Sequence, residues 1–354
     1  MLKTRKAAGV DEIPNEVWIH GGEDLVNRLI CVLGKIWDGD DMPEEWKTGL
    51  IVPLFKKGDT NDTKNCRGIS LLSTAYKLYM EVIRKRLEEE VNEKNILPEG
   101  QAVFRKGMST LDNIYVLNYL AQRAKTRKKK LYSIFVDLNA AFDTVDRKIL
   151  WETMKKLGIS NYLIERIKGI YEETKVSIRM NEGNSKEFWT NMGLRQGCVL
   201  SQLFFCIYIT DLEREFKERN IGGVKIGEIR IWSLAYADDI VMLTENREGL
   251  VDMCDSLKRL LRNRKLILST EKTKVLVFNK GKNSKKEKWF WEDKVIEEVK
   301  SFKYLGFVFN RDGNYKEHIE ELKKKGICAA KKTWGLGEKC CRGILRGELN
   351  CSII

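Results

Sequence analysis

Histidine is almost missing from this chain of 354 residues, which has only His20 and His318. Nine cysteines are present, yet no two form a C-x-x-C pair. Structural zinc needs clustered Cys and His ligands, and a disulfide framework needs cysteines at regular spacings, so the pattern excludes both and no zinc is expected. Reduced, mostly buried thiols fit best. No stretch approaches the roughly 18 consecutive apolar residues of a membrane span, and the lysine-rich start has no signal-peptide apolar core. The expectation is a soluble, intracellular protein without membrane contact. There is no internal repeat and no low-complexity segment beyond two lysine blocks.

What is present is a globular composition with 43% hydrophobic residues, a net charge of +13 and a pI near 9.2. A surplus of Lys and Arg from end to end suits a polyanionic partner. The densest blocks are "KTRKKK" from Lys125 and "NKGKNSKKEK" from Asn279. Each reads equally as a phosphate contact or as a solvated loop or localisation patch. Trp289 and Trp291, beside the second block, read as core before they read as stacking surfaces.

Two apolar runs stop at acids. In "LAYADDIVML", short strands at Ile229 to Ala235 and Ile240 to Leu243 flank a turn, Tyr236 to Asp239, which puts Asp238 and Asp239 at a hairpin tip. Side-by-side carboxylates repel unless a cation neutralises them, so the pair suggests a divalent-metal site; the alternative is a solvated turn. A second run, Leu131 to Val136, is almost continuously apolar, as a strand covered on both faces should be, and ends at Asp137. The two clusters could share a pair of Mg²⁺ ions about 3.5–4 Å apart, as nucleotidyl transfer requires. Asp143 and Asp146 read as helix-start acids that cap or compensate the dipole.

The "YADD" turn, "FVDLNAAFDTVDR" and "GLRQGCVLSQLFF" from Gly193 resemble the palm motifs of reverse transcriptases of non-LTR retrotransposons, of the jockey-like kind. Weaker segments follow in the same order: "AAGVDEIP" from Ala7, "LIVPLFKKGD" from Leu50, "NCRGISLL" from Asn65, "FRKGMSTLDNI" from Phe104, "EKTKVLVF" from Glu271 and "FKYLGFVF" from Phe302. The resemblance implies an RNA-directed DNA polymerase that extends a primer 3′-hydroxyl with deoxynucleoside triphosphates, using RNA as template and DNA as primer or target. Its metal would be Mg²⁺, two ions, with Mn²⁺ as a substitute, held by Asp137, Asp238 and Asp239. Phe142 would exclude the 2′-hydroxyl of ribonucleotides, although its own context reads as an ordinary core aromatic. Arg195, Gln196 and Gly197 would form a turn over the nascent base pair. Lys56 and Arg67 would hold the triphosphate, Lys272 would protonate the leaving pyrophosphate with Lys274 as its rival, and Tyr304, Leu305 and Gly306 would grip the primer.

The chain departs from the family pattern at Gln202, where Pro is usual, and at Cys206, where Asn is usual. It also begins and ends abruptly, with no endonuclease-like domain before Leu2. A truncated, inactive remnant that only binds nucleic acid is the alternative; a nucleotide cyclase would need a Gly-Gly-Asp-Glu-Phe turn that is absent. An active protein working on chromosomal targets would be nuclear.

The fold implied is α+β, a right-hand polymerase with an antiparallel palm sheet. Fingers would span 1–130 with 170–192, palm 131–310 and a partial helical thumb 311–354. Helical stripes are expected at Tyr76, Met80, Ile83, Leu87 and Val91; at Ile114, Leu117 and Ala121 behind a Ser109–Asp112 capping box; at Leu150, Met154 and Leu157; and at Leu163, Ile167 and Ile170, capped by Ser160. Val176 to Met180 and Phe188 to Asn191 read as a hairpin, and Leu250 to Leu261 and Ile319 to Trp334 as amphipathic helices.

Overall fold

The structure is a computed structural model and describes residues 2–345 except 57, 60, 61, 104, 106, 282, 283, 285 and 286; side chains at 64 and 335–345 are also outside the description. Phe104 of the "FRKGMSTLDNI" segment, part of the second lysine block, and the side chains of Cys340, Cys341 and Cys351 therefore lie outside the described residues.

In chain order the strands are β1 (Thr48–Phe55), β2 (Cys66–Leu71), β3 (Leu131–Val136), β4 (Lys175–Met180), β5 (Gly183–Asn184), β6 (Phe188–Trp189), β7 (Val224–Ile226), β8 (Ile229–Ile231), β9 (Ser233–Tyr236), β10 (Asp239–Thr244), β11 (Lys274–Phe278), β12 (Trp289–Trp291), β13 (Lys294–Val299), β14 (Ser301–Tyr304) and β15 (Phe307–Asn310). One sheet has the order β2-β1-β4-β5, with β6 on β4, so β4 pairs with the early strand β1. A six-stranded sheet has the order β12-β13-β11-β3-β10-β9, antiparallel except where β11 and β13 run parallel. β7–β8 and β14–β15 are separate two-stranded ribbons.

β3 is buried at all six positions because both faces of the six-stranded sheet are covered. Ile134, Val136, Ile240, Met242, Val275 and Val277 face one apolar cluster; Phe135, Val241, Leu243 and Leu276 face the other. The first cluster is closed by the helices Arg147–Lys156, Asn161–Glu172, Ser201–Tyr208 and Arg247–Asn263. The second is closed by the helix Thr110–Thr126 through Leu117, Leu120 and Ala121, so this helix, although inside 1–130, packs on the sheet that holds Asp137. Ser133 is the one polar side chain in β3, and its hydroxyl donates to the Leu276 carbonyl at 2.6 Å.

Local chemistry explains the helices. Ser73 accepts from the Tyr76 amide at the start of Thr74–Glu93, whose stripe Tyr76, Met80, Ile83, Leu87 and Val91 is buried as the 3.6-residue period requires. The Ser109–Asp112 capping box forms. Asp146 caps Arg147–Lys156, accepting from the Lys148 and Ile149 amides. No helix among the described residues is long and apolar enough to cross a membrane.

Four readings are corrected. The strand expected from Ile229 to Ala235 breaks at Trp232, because β8 turns to pair with β7 while β9 pairs with β10. Ser160 does not cap its helix by side chain; its hydroxyl donates to Glu90 at 2.6 Å instead. Asp143 does not cap a helix either, since Gln196 binds its carboxylate. Of the six described cysteines, Cys198, Cys206 and Cys254 are buried, but Cys31 and Cys328 are exposed. Trp289 and Trp291 are buried in the core and offer no stacking face, leaving Phe290 between them exposed.

Candidate active site

The acids meet at one end of the six-stranded sheet. β10 pairs with β3 from Ile240 opposite Val136, so Asp137 leaves β3 where the β9–β10 hairpin turns. Asp239 pairs with Tyr236, which leaves Ala237 and Asp238 as a two-residue tip. Asp239 therefore opens β10 instead of lying in the turn. Ala237 has φ +56°, the left-handed conformation such tight hairpin turns demand.

Burial raises the carboxyls of Asp238 and Asp239 above the usual range, and charge adds to it: Asp239 is pushed up to about 6 by burial, then by Asp238 and Asp137. Asp239 is open to solvent on one side, yet the protein around its carboxyl still dominates. Arg67 pulls both back down. One oxygen of Asp137, Oδ1, is buried without a hydrogen-bond partner, and Lys272 Nζ stands 3.6 Å from it. Lys274, the rival, turns away to Glu297 at 3.0 Å.

These groups suit a hard divalent cation, which prefers carboxylate oxygen, and an orphaned buried oxygen is a ready ligand atom. Among the described residues no three His, Cys, Asp or Glu side chains are already drawn together around one ion-sized centre.

Lys56, just past β1, and Arg67, in β2, are exposed; the Arg67 charge reaches Asp238 and Asp239, and the charges of both reach Asp143. Phe142 is half-buried with its ring 5.2 Å from Phe205, and its carbonyl accepts from the Leu194 amide at 2.8 Å. Gln196 donates to both oxygens of Asp143 at 2.9 Å, while its carbonyl accepts from the Ser70 amide at 2.7 Å. Gly197 has φ +120°, and a Cβ there would lie 2.7 Å from the Ser70 carbonyl oxygen, so no other residue fits. Arg195 is a correction: its side chain is buried over Tyr76 and donates to the carbonyls of Trp46 and Lys47, away from the acids. It anchors the turn to the short helix Glu44–Lys47 that leads into β1. Leu305 (φ +47°) and Gly306 (φ +86°) make the β14–β15 turn, and the Tyr304 hydroxyl donates to the Leu234 carbonyl at 3.0 Å.

The departures from pattern sit close by. Gln202 is exposed on the first turn of Ser201–Tyr208, and Leu200 before it is already helical. Proline at 202 would push Ser201 out of the α region, so the glutamine suits a helix that starts early. Cys206 lies buried beneath the tip, near enough for the Asp238 charge to act on its thiol.

Two supports were not read from sequence. Gln101, 3% exposed, accepts from the Ala237 amide at 3.2 Å, and its neighbours Gly100 and Ala102 bond to Ala235 at 2.8 and 3.0 Å. Asn113 donates to the Ala235 carbonyl at 3.0 Å and to the Tyr304 hydroxyl at 3.3 Å. Nothing in "PEGQAV" signals Gln101; Asn113 was detectable as the polar member, four residues before Leu117, of a buried stripe.

A strand-end carboxylate facing a hairpin-tip pair, on a helix-backed sheet flanked by a cationic ribbon, is the palm arrangement of nucleic-acid polymerases. Residues 55–309 match the family described as "Reverse transcriptase (RNA-dependent DNA polymerase)", and the chain belongs to it. It is 26% identical over 337 residues to the probable RNA-directed DNA polymerase from transposon BS of Drosophila melanogaster, covering 92% of this chain and 36% of that protein. It is 24% identical to the RNA-directed DNA polymerase from mobile element jockey of Drosophila funebris, covering 91% and 35%. The chain thus spans about a third of these relatives' length. Its fold is similar to that of telomerase from Candida tropicalis in complex with a TWJ fragment of telomeric RNA, with a TM-score of 0.54 at 16% identity over 84% of this chain and 48% of that one. Reverse transcriptases generally use divalent metal ions.

Proposed function

We propose that this chain is the polymerase core of a non-LTR retrotransposon and extends a primer 3′-hydroxyl with deoxynucleoside triphosphates on an RNA template. The observation that carries the reading is the meeting of Asp137, which has an orphaned buried oxygen, with Asp238 and Asp239, whose carboxyls are raised by burial and by their acidic neighbours. Divalent cations, Mg²⁺ by preference, would be held by these three residues and would supply Lewis-acid activation and charge neutralisation. Lys272 would give a proton to the departing pyrophosphate, a role supported by its approach to Asp137 at 3.6 Å. Arg67 and Lys56 would bind the triphosphate, the arginine as a planar fork and the lysine as a point charge. Phe142 would lie under the sugar, Gln196 and Gly197 would face the nascent pair, and the turn at Leu305 and Gly306 would hold the primer end, with Tyr304 tying that turn to β9. The ribbon and sheet of β1, β2 and β4–β6 would act as fingers, 131–310 as palm and the helix from Lys316 as the start of a thumb.

RNA as template is supported by the relatives' names and by the telomeric RNA in the telomerase complex. Primer extension by the purified chain on RNA and DNA templates, with deoxynucleoside triphosphates and Mg²⁺, tests the proposal. Extension that Asp238→Asn abolishes supports it. Nucleic-acid binding with no extension under any divalent cation would leave only a binding remnant.

A further inference from the structure

The strands that hold the acids also have an opposite end. In the β3–β11 pair Phe135 lies opposite Lys274 and Leu131 opposite Phe278. Asp137 and Lys272 stand at one end, Lys130 and Asn279 at the other, about 20 Å away at ~3.3 Å per residue. Hydrogen bonds fasten four segments together at this far corner. Asn279 donates from Nδ2 to the Lys129 carbonyl at 3.0 Å and from its amide to the Arg311 carbonyl at 2.8 Å, and the Arg311 amide donates to the Lys300 carbonyl at 2.9 Å.

Arg127, Lys128, Lys129, Lys130 and Lys300 are all exposed there, and among the described residues none of the five has an ion pair. The acids of the same segments are engaged: Asp312 with Arg311 at 3.7 Å, and buried Glu298 with Lys280 at 2.6 Å. Arg127 and Lys128 close the helix Thr110–Thr126, so its C-terminal dipole favours their charge. Lys129, Lys130 and Lys300 lie beyond that benefit. Five like charges in one hydrogen-bonded corner repel one another unless a polyanion neutralises them.

We propose that this corner is a second phosphate-binding surface, which holds the backbone of the nucleic acid extending from the active site. The identity of that strand rests on the polymerase reading; the binding itself does not. At ~3.4 Å per nucleotide, a strand must run at least about six nucleotides beyond the acids to reach the corner. Shorter substrates fill the cleft alone.

The test compares the full chain with its Arg127→Glu/Lys129→Glu/Lys130→Glu/Lys300→Glu variant in equilibrium binding to primer–templates of about 4 and about 30 nucleotides beyond the primer end, across a salt series. For the long substrate, affinity should fall tenfold or more, and the slope of log K against log salt should flatten by up to about 3, at ~0.7–0.9 per lost phosphate contact. For the short substrate both should stay within twofold. Should the quadruple variant fail to match the parent's melting temperature, Lys130→Gln/Lys300→Gln should give the same length-dependent loss at smaller size. Equal loss for short and long substrates would reduce the corner to a general field, and no loss would make it a solvated face or an acidic-protein contact; either result overturns the proposal. Because the readout is binding, a length-dependent loss in the variant combined with a parent that extends no primer sinks the polymerase reading alone.

Discussion

The side-chain oxygen of Gln101 accepts the Ala237 amide at 3.2 Å, immediately before Asp238. Ala237 is held left-handed, a conformation that costs an L-residue roughly 1–2 kcal/mol, and the buried glutamine supplies the acceptor its amide would otherwise lack. Contact between a segment near residue 100 and the tip at 237 thus fixes where the Asp238 carboxylate points.

Gln101→Met keeps the length of the side chain and removes the acceptor. An unpaired buried amide costs about 1–3 kcal/mol, which here either destabilises the fold or frees the tip. The expected outcome is a tenfold or greater fall in kcat with dNTP KM and primer–template affinity nearly unchanged. Activity that falls only in step with the folded fraction would make Gln101 a purely structural residue.

Asp238→Asn should abolish nucleotide addition and leave the fold intact. Removing one charge from three that repel also predicts a modest rise in melting temperature in a chelator, lost when Mg²⁺ is added because the parent alone gains from the metal. Extension near the parent rate would refute the assignment.

Lys272 and Lys274 lie two residues apart, but only Lys272 reaches Asp137. Lys272→Ala should slow addition by roughly 10²–10⁴, the usual range for a positioned proton donor, while Lys274→Ala should stay within a few-fold of the parent. Single-turnover kinetics across pH separate the two, since loss of a proton donor also removes the high-pH limb of the profile.

Glu213 supports the same region, accepting from the Ser233 hydroxyl at 2.6 Å. Burial raises its carboxyl above the ordinary glutamate range. A raised value means the folded state favours the protonated form, so its stabilising contribution is complete below about 4.5 and is lost as pH rises through the raised folded value. Glu213→Gln should therefore melt higher than the parent at pH 7, with the difference closing toward pH 4. A constant difference across that range would assign the effect to packing.

Much of this architecture was legible because it is encoded locally. β3 announced itself by an unbroken apolar run, the helix Thr74–Glu93 by its stripe and Ser73 cap, and the acids by stopping apolar runs where solvent or metal begins. What escaped was side-chain direction. "RQG" gives the turn, but not that Arg195 reaches back to two carbonyls 148 and 149 residues earlier while Gln196 alone faces Asp143. The break at Trp232 escaped for a related reason, since a strand that changes partners keeps the same β-rich composition on both sides.

Phe142 separates a borrowed role from a packing role. Its ring leans on Phe205 and is only half-buried, so one edge remains free to meet a sugar. Phe142→Ala should admit ribonucleotides, with the ratio of deoxy to ribo kcat/KM falling tenfold or more as the collision with the 2′-hydroxyl is removed. It should also destabilise the chain, by less than the roughly 3–5 kcal/mol of a fully buried Phe→Ala change. Phe142→Leu restores the apolar contact with Phe205 but not the flat ring, so it should recover stability while selectivity stays relaxed. If both variants keep the parent's selectivity while activity follows stability, the ring is core packing and the sugar is screened by another residue.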